Sequence, residues 1–297
     1  MATDLETLAS IHPISVDAPA SAEMVEPDEL VIRPRSGWIA INWRELVRSR
    51  ELLYFLIWRD VKIRYKQTAL GVAWAVLQPL LTMLIFTAIF GQFAKIPSDG
   101  VPYPIFVFAG LVPWTFFANG VAQGGQSLVS QQQLLTKIYL PRLFIPTAAV
   151  GAFLVDMAIS LGIYAVLLAF YRVVPSPGVV FLPILVVLTV VATLGLGYLL
   201  AALTVTYRDF RYVVPFMIQV LMYVSPVIYP VSMVPARFRA LLALNPMAGL
   251  IEAYRSAILG TPWNPLTLGI SSVSAVLLFV LGLFYFRKTE RRFADIA

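Results

Sequence analysis

The sequence predicts an all-α, polytopic membrane protein with six transmembrane helices, an amphipathic interface helix ahead of them and a short re-entrant helical hairpin on the outer side. Three observations carry this reading. Of 297 residues, 59% are hydrophobic and 13% charged, against roughly 25% charged in a soluble domain. Mean hydropathy is +0.81. Apolar runs free of Lys, Arg, Asp and Glu recur along the chain, near the length of about 20 residues that a helix needs to cross hydrocarbon. The same composition excludes a soluble enzyme and a disordered chain. The chain has no cysteine and one histidine, His12, which excludes disulfide scaffolds, zinc and iron–sulfur sites and Ser-His-Asp chemistry. No glycine-rich loop ends in Gly-Lys-Ser/Thr, so ATP hydrolysis by that route is excluded too.

Residues 1–36 come first. Positions 1–32 hold seven acids and no base, unlike the positive start of a secretory leader, and the expectation is a disordered cytosolic tail. The span 37–66 then forms the interface helix. Over 42–66, Leu46, Leu53, Tyr54, Ile57, Trp58, Val61 and Tyr65 share one helical face. Arg44, Arg48, Glu51, Arg59, Lys62 and Lys66 share the opposite one. Asp60 and Arg64 are spaced to pair at i, i+4. Such a helix lies in the membrane interface, as an anchor or as a lever that carries force from a soluble partner into the first span.

The six-span domain occupies 67–286, in charge-free windows at 67–94, 100–136, 143–171 (broken by Asp156), 173–207, 212–236 and 256–286. A seventh run, 240–251, has 12 residues and cannot cross. Seventeen of the 22 Lys and Arg then fall on the side of both termini, the tail 287–297 included, and five fall opposite. The positive-inside rule places both termini in the cytoplasm. The charge of +6 is thus a topology signal, and no basic stripe points to nucleic acid.

The first span carries Trp74, Gln78, Thr82, Phe86 and Phe90 at four-residue spacing. Aromatic faces stack on sugar rings, and amides and hydroxyls bond sugar hydroxyls; ordinary helix packing is the alternative. The second span turns polar from Asn119 to Gln133, so that half should face protein or a water-filled cavity. Residues 134–142 form a short connection ended by Pro141, able to dock a soluble subunit or to serve as a plain loop. Asp156, the only acid in a span, reads as a hydrogen-bonded structural group or as an ion site. Gly195, Gly197 and Ala201 permit close helix approach. Arg208, Asp209 and Arg211 mark the cytosolic mouth of the turn between spans four and five. After 225–230, prolines at 230, 235, 246, 262 and 265 leave room for two short helices, near 235–244 and 246–259. Within the region 231–264 they read as an outer gate dipping into the membrane, or as a loop on the outer leaflet.

Four segments carry a family resemblance: RDVKIRYKQTALGVAWAVLQPL (59–80), KIYLPR (137–142), YRDFRYVVPFMIQVLMYVSPVIYP (207–230) and NPMAGLIEAYRSAILG (245–260). In that order and spacing, from about 42 to 292, the chain resembles the permease subunits of ABC-2 type transporters, and more closely the O-antigen, capsule and teichoic-acid polysaccharide exporters. The resemblance implies a homodimer in the bacterial inner membrane, docked from the cytosol by two copies of a separate nucleotide-binding subunit. ATP and Mg would belong to that partner, with no cofactor or metal in this chain. Arg44, Arg48, Trp58, Arg59 and Lys62 would match the family's interface helix. Lys137, Ile138, Tyr139, Leu140, Pro141 and Arg142 would match the coupling region. Spans one and five would line the pore, adding Tyr212, Phe216, Met222 and Tyr223 to the stripe. Pro235, Arg237, Asn245, Pro246, Glu252 and Arg255 would belong to the outer gate. The cargo would be a glycan on polyprenyl pyrophosphate, met at the mouth by Arg208 and Arg211.

Three other readings compete. An ABC-2 exporter of a drug or small lipid shares the fold. A proton-coupled carrier would use Asp156. A membrane glycosyltransferase would need outer acids, and that side offers only Asp99 and Glu252.

Overall fold

The computed structural model describes residues 47–66, 71–133, 140–207 and 209–290. Among them the regular elements are all helical: α1 (Arg50–Lys66), α2 (Gly71–Phe86), α3 (Tyr103–Ser130), α4 (Phe144–Gly151), α5 (Phe153–Phe170), α6 (Leu182–Thr206), α7 (Phe210–Val224), α8 (Ala236–Ala243), α9 (Pro246–Leu259) and α10 (Pro265–Glu290). Five stretches are long and apolar enough to cross a bilayer: Ala73–Phe93, Tyr103–Ser130, Phe144–Phe170, Pro177–Thr206 and Pro265–Glu290. The first extends α2 through a π-helical segment, Thr87–Phe93. The third joins α4 to α5 across Ala152, and α10 runs to Glu290, past the end of its charge-free window.

The expected fifth crossing is shorter than its window. α7 has 15 residues, or about 22 Å against about 30 Å of hydrocarbon. Pro226 explains the stop, because it drives Ser225 into an extended conformation (ψ 143°). The expected pair of short helices follows as α8 and α9. Pro246 opens α9 at its first turn, Asn245 caps it by accepting from the Met247 amide at 3.0 Å, and Gly260 closes it in the left-handed region (φ 71°). The last window therefore divides, with residues 256–259 completing α9 and the final span starting at Pro265.

α3 is the centre. In its most apolar stretch 78% of residues are buried, against 11–28% in the other four spans. It touches α2, α4, α5, α6, α7 and α9. In the polar half predicted to face protein the small residues do so, whereas Gln123 and Ser130 are exposed. Gly120 faces Thr193, Gly124 faces Val150 and Gly197, and Gly125 faces Leu200. Buried hydroxyls return to their own helix, as Ser127 does to Gly124 O (2.7 Å) and Thr193 to Thr189 O (2.7 Å). α6 and α10 meet backbone to backbone. A Cβ on Gly282 would stand 2.0 Å from Gly195 O, and one on Gly195 would stand 2.6 Å from Phe279 N. Glycine at both positions is what lets this seam close.

Candidate functional site: two exposed helices between two clamps

The loosely covered elements are α2 and α7. Along α2, Trp74 and Gln78 are exposed, whereas Thr82, Phe86 and Phe90 are half-buried. The Thr82 hydroxyl donates to Gln78 O at 2.9 Å. Phe86 and Phe90 meet edge to face at 5.6 Å and pack against the chain's own core. The four-residue stripe thus turns inward along its length, because steps of four overshoot a 3.6-residue turn by about 40° each. On α7, Tyr212, Phe216 and Tyr223 are 82%, 68% and 60% exposed, and Met222 packs partly on the core. Asp209 and Arg211 are exposed at the start of α7; Arg208 lies outside the described residues.

At the α1 end, helix packing uses part of the expected apolar face, through Leu53, Ile57 and Val61, and adds Leu52 and Leu56. Leu56 and Val61 are buried, and Leu52, Leu53 and Ile57 join them against α4. Gly151 admits Ile57, whose Cδ1 lies 3.0 Å from where a Cβ would stand. Tyr54 and Trp58 point away from the bundle, 70% and 48% exposed, with Phe55 and Ile63 beside them. Lys62 Nζ sits 5.5 Å from the Trp58 ring centroid. An interfacial helix has two non-aqueous neighbours, bundle and lipid, so its apolar residues divide between them. Arg48 is exposed, and Arg44 lies outside the described residues.

The expected Asp60–Arg64 pair is replaced by two others. Arg59 holds Asp60 at 2.8 Å and donates to Gln131 Oε1, at the end of α3, at 2.7 Å. Arg64 reaches across to Asp156 at 2.5 Å, stacks 3.7 Å over the Phe153 ring, and is joined at that carboxylate by the Tyr65 hydroxyl. Burial, then the hydrogen bond and charge of Asp156, raise the Tyr65 phenol well above its ordinary range against the pull of Arg64, so it stays a donor. Asp156 precedes Phe170, the end of α5, by 14 residues, or about 21 Å. It stands near the middle of the 27-residue apolar stretch Phe144–Phe170. The carboxylate is engaged from two sides as a structural partner, which takes away the lone acid on which the ion-site reading rested. Nearby, Arg142 donates to Glu290 O, and Arg287 pairs with Glu290 at 2.7 Å. Leu140 is buried and Pro141 half-buried, while Lys137, Ile138 and Tyr139 lie outside the described residues.

At the opposite, hairpin end Arg255 is buried, 4% exposed. Its Nε donates to Phe106 O at 3.2 Å, one terminal nitrogen to Pro226 O at 2.7 Å and the other to Val227 O at 2.7 Å. The guanidinium lies 3.6 Å over the Phe106 ring, in a space that Gly110 leaves open. Burial draws its pKa down to about 9, so it is still a cation at neutral pH. Asn245 donates to Ser225 Oγ at 2.8 Å, fastening α9 to the end of α7. Glu252 is half-buried and its Oε2 has no hydrogen-bond partner. Burial pushes that carboxyl above its ordinary value, opposed by Arg255 and Arg239 and assisted by Asp99. Pro246 is half-buried; Pro235 and Arg237 are exposed, the latter 4.6 Å over Phe238.

Sequence reasoning missed Tyr65 as a clamp residue, along with Phe106, Gly110 and Ser225. A lone intramembrane acid signals a missing cation and pointed toward Arg64. Carbonyl partners leave no signal in side-chain type.

Comparison with known proteins agrees with this architecture. Residues 51–259 match the family of ABC-2 type transporter membrane domains. The chain is 32% identical over 252 residues to the O-antigen export system permease protein RfbA of Myxococcus xanthus, covering 83% of this chain and 96% of that one. It is 29% identical over 247 residues to the RfbA permease of Klebsiella pneumoniae, covering 83% and 95%. It is 23% identical over 240 residues to the polysialic acid transport protein KpsM of Escherichia coli, covering 79% and 92%.

Proposed function

The chain belongs to the ABC-2 type transporter family, and we propose that it is the translocating subunit of an ATP-driven exporter of lipid-linked polysaccharide, with a glycan of the O-antigen or capsule kind as cargo. The observation that carries this is the 32% identity, across 96% of its length, to a permease named for O-antigen export. The exposed Trp74 and Gln78 on α2 and Tyr212 and Phe216 on α7 support it. They are uncharged groups suited to sugar rings and hydroxyls, on the two least covered helices. In this reading two copies pair so that α2 and α7 border a shared path. The α1 end faces the cytoplasm, where a separate ATP-binding subunit docks near residues 131–142. Arg208 and Arg211 meet the pyrophosphate there, and the hairpin end faces outward.

Deleting the gene in its host tests this. Surface glycan should disappear while lipid-linked glycan accumulates inside, and the intact gene should restore export. Unchanged surface glycan overturns the reading. The purified chain should show ATPase activity only after the host's ATP-binding subunit is added.

A further inference from the structure

A cavity at the hairpin end measures about 770 Å³, within the range of small-molecule sites of roughly 300–1,000 Å³. Residues Asp99, Ser232, Arg239, Glu252, Trp263 and Asn264 contribute to its wall, drawn from loops and from α8 and α9. None of these loops does the work of the exposed α2 and α7 faces. The wall carries two carboxylates and two guanidiniums, Arg255 being the second.

The two charge types are not equally available. Arg255 gives its nitrogens to the carbonyls of 106, 226 and 227, and Arg239 gives two of its own to Val234 O (2.8 Å) and Ser232 O (3.1 Å). Asp99 takes one hydrogen bond, from Ser232 Oγ at 3.0 Å, and Glu252 lines the wall with its Oε2 buried and without a partner. The wall therefore offers acceptors more than donors. An anion would find its natural partners occupied and two carboxylates facing it. A full cation would meet two guanidiniums. What fits is a neutral ligand rich in hydroxyl donors, with a C–H face for an aromatic ring. Trp263 supplies that ring at the rim, 41% exposed and set at 77° to Phe181.

We infer that this cavity is a sugar-binding subsite of each protomer, holding a neutral unit of the exported glycan as it leaves. Glu252 and Asp99 accept hydroxyls, and Trp263 stacks on the ring. The inference rests on the exporter reading and on the hairpin end facing outward.

Photo-crosslinking in exporting cells tests it. p-Benzoylphenylalanine replaces Trp263 in one strain and Val276, an exposed residue further along α10, in another. The strain altered at 263 should yield the chain as a carbohydrate-staining ladder, and that altered at 276 should not. Adding Glu252→Ala should cut the ladder about tenfold, as expected when a buried hydrogen bond is lost. Should the 263 strain lose export, the same probe at Thr261, also on the wall, takes its place. An export-competent strain without a ladder overturns the subsite, as do a lipid adduct alone, an equal ladder at 276, or an acidic sugar at the crosslink. Failure of the exporter reading shows separately, as surface glycan that persists when the gene is deleted.

Discussion

At the α1 end, Arg64 meets a carboxylate on another helix. At the hairpin end, Arg255 meets none and hands its N–H groups to the main chain at 106, 226 and 227. Arg64 and Asp156 are 29% and 22% exposed, and a side-chain pair with that much exposure can part and re-form. Arg255 is sealed, and it serves the carbonyls of Pro226 and Val227, which follow the end of α7. One end is fastened by a pair that can open, the other by a pin whose removal undoes the turn it holds.

The largest expected effect tests the fixed end. Arg255→Ala strands several buried carbonyls and should cost about 3–5 kcal/mol, read as a lowered unfolding midpoint in detergent. Arg255→Lys should recover only part, because an ammonium cannot span three divergent carbonyls. Equal stability of wild type and Arg255→Ala would remove the contrast between the ends.

Next comes the clamp. Asp156→Ala should cost about 1–3 kcal/mol, with Asp156→Asn losing less because an amide still accepts from Tyr65. In a double-mutant cycle Arg64→Ala and Asp156→Ala should couple by about 1 kcal/mol or more. Additive effects would show that the contact carries no energy. A folded Asp156→Asn protein should still export, and loss of export with intact folding would return weight to the carrier reading.

Between the ends, Trp74→Ala should lower glycan export with assembly unchanged. Phe86→Ala should also destabilise by about 2–3 kcal/mol, since its ring packs on the core. Wild-type export by both variants would dismiss sugar stacking on α2.

A smaller effect concerns Glu252, whose pKa is raised above 4.5 on folding. The folded state then binds more protons than the unfolded one across the window just above 4.5, so stability falls as pH rises through it. Glu252→Gln should flatten that slope and raise the midpoint at pH 7. An unchanged slope would show that the carboxyl is not desolvated. Smallest is Lys62→Ala, about 0.5 kcal/mol for an exposed cation–π contact, measurable as a slight loss of α1 order by hydrogen exchange.

Much of this was legible in the sequence. Charge-free runs located the spans, and the spacing of Pro235, Pro246, Pro262 and Pro265 marked α8 and α9 to within a residue or two. Gly195 and Gly197 announced close packing, and both deliver it. The failures share a cause. Periodicity says which residues are apolar and not which apolar neighbour they meet, so Tyr54 and Trp58 were grouped with Leu53 though they point away from the bundle. Arg64 has an acid four residues before it and another 92 residues on, and tertiary geometry chose the distant one. Arg255 binds carbonyls, which every residue carries, so no pattern could name its socket.

The contact between Gly195 and Gly282 has a mechanical meaning. With the backbones of α6 and α10 already touching, that seam cannot be squeezed further, and prying it open would expose bare peptide to lipid. The sparsely buried α1, α2 and α7 are the ribs hung on this spine. Under the proposed function they are the elements free to yield to a passing cargo while α6 and α10 stay locked together.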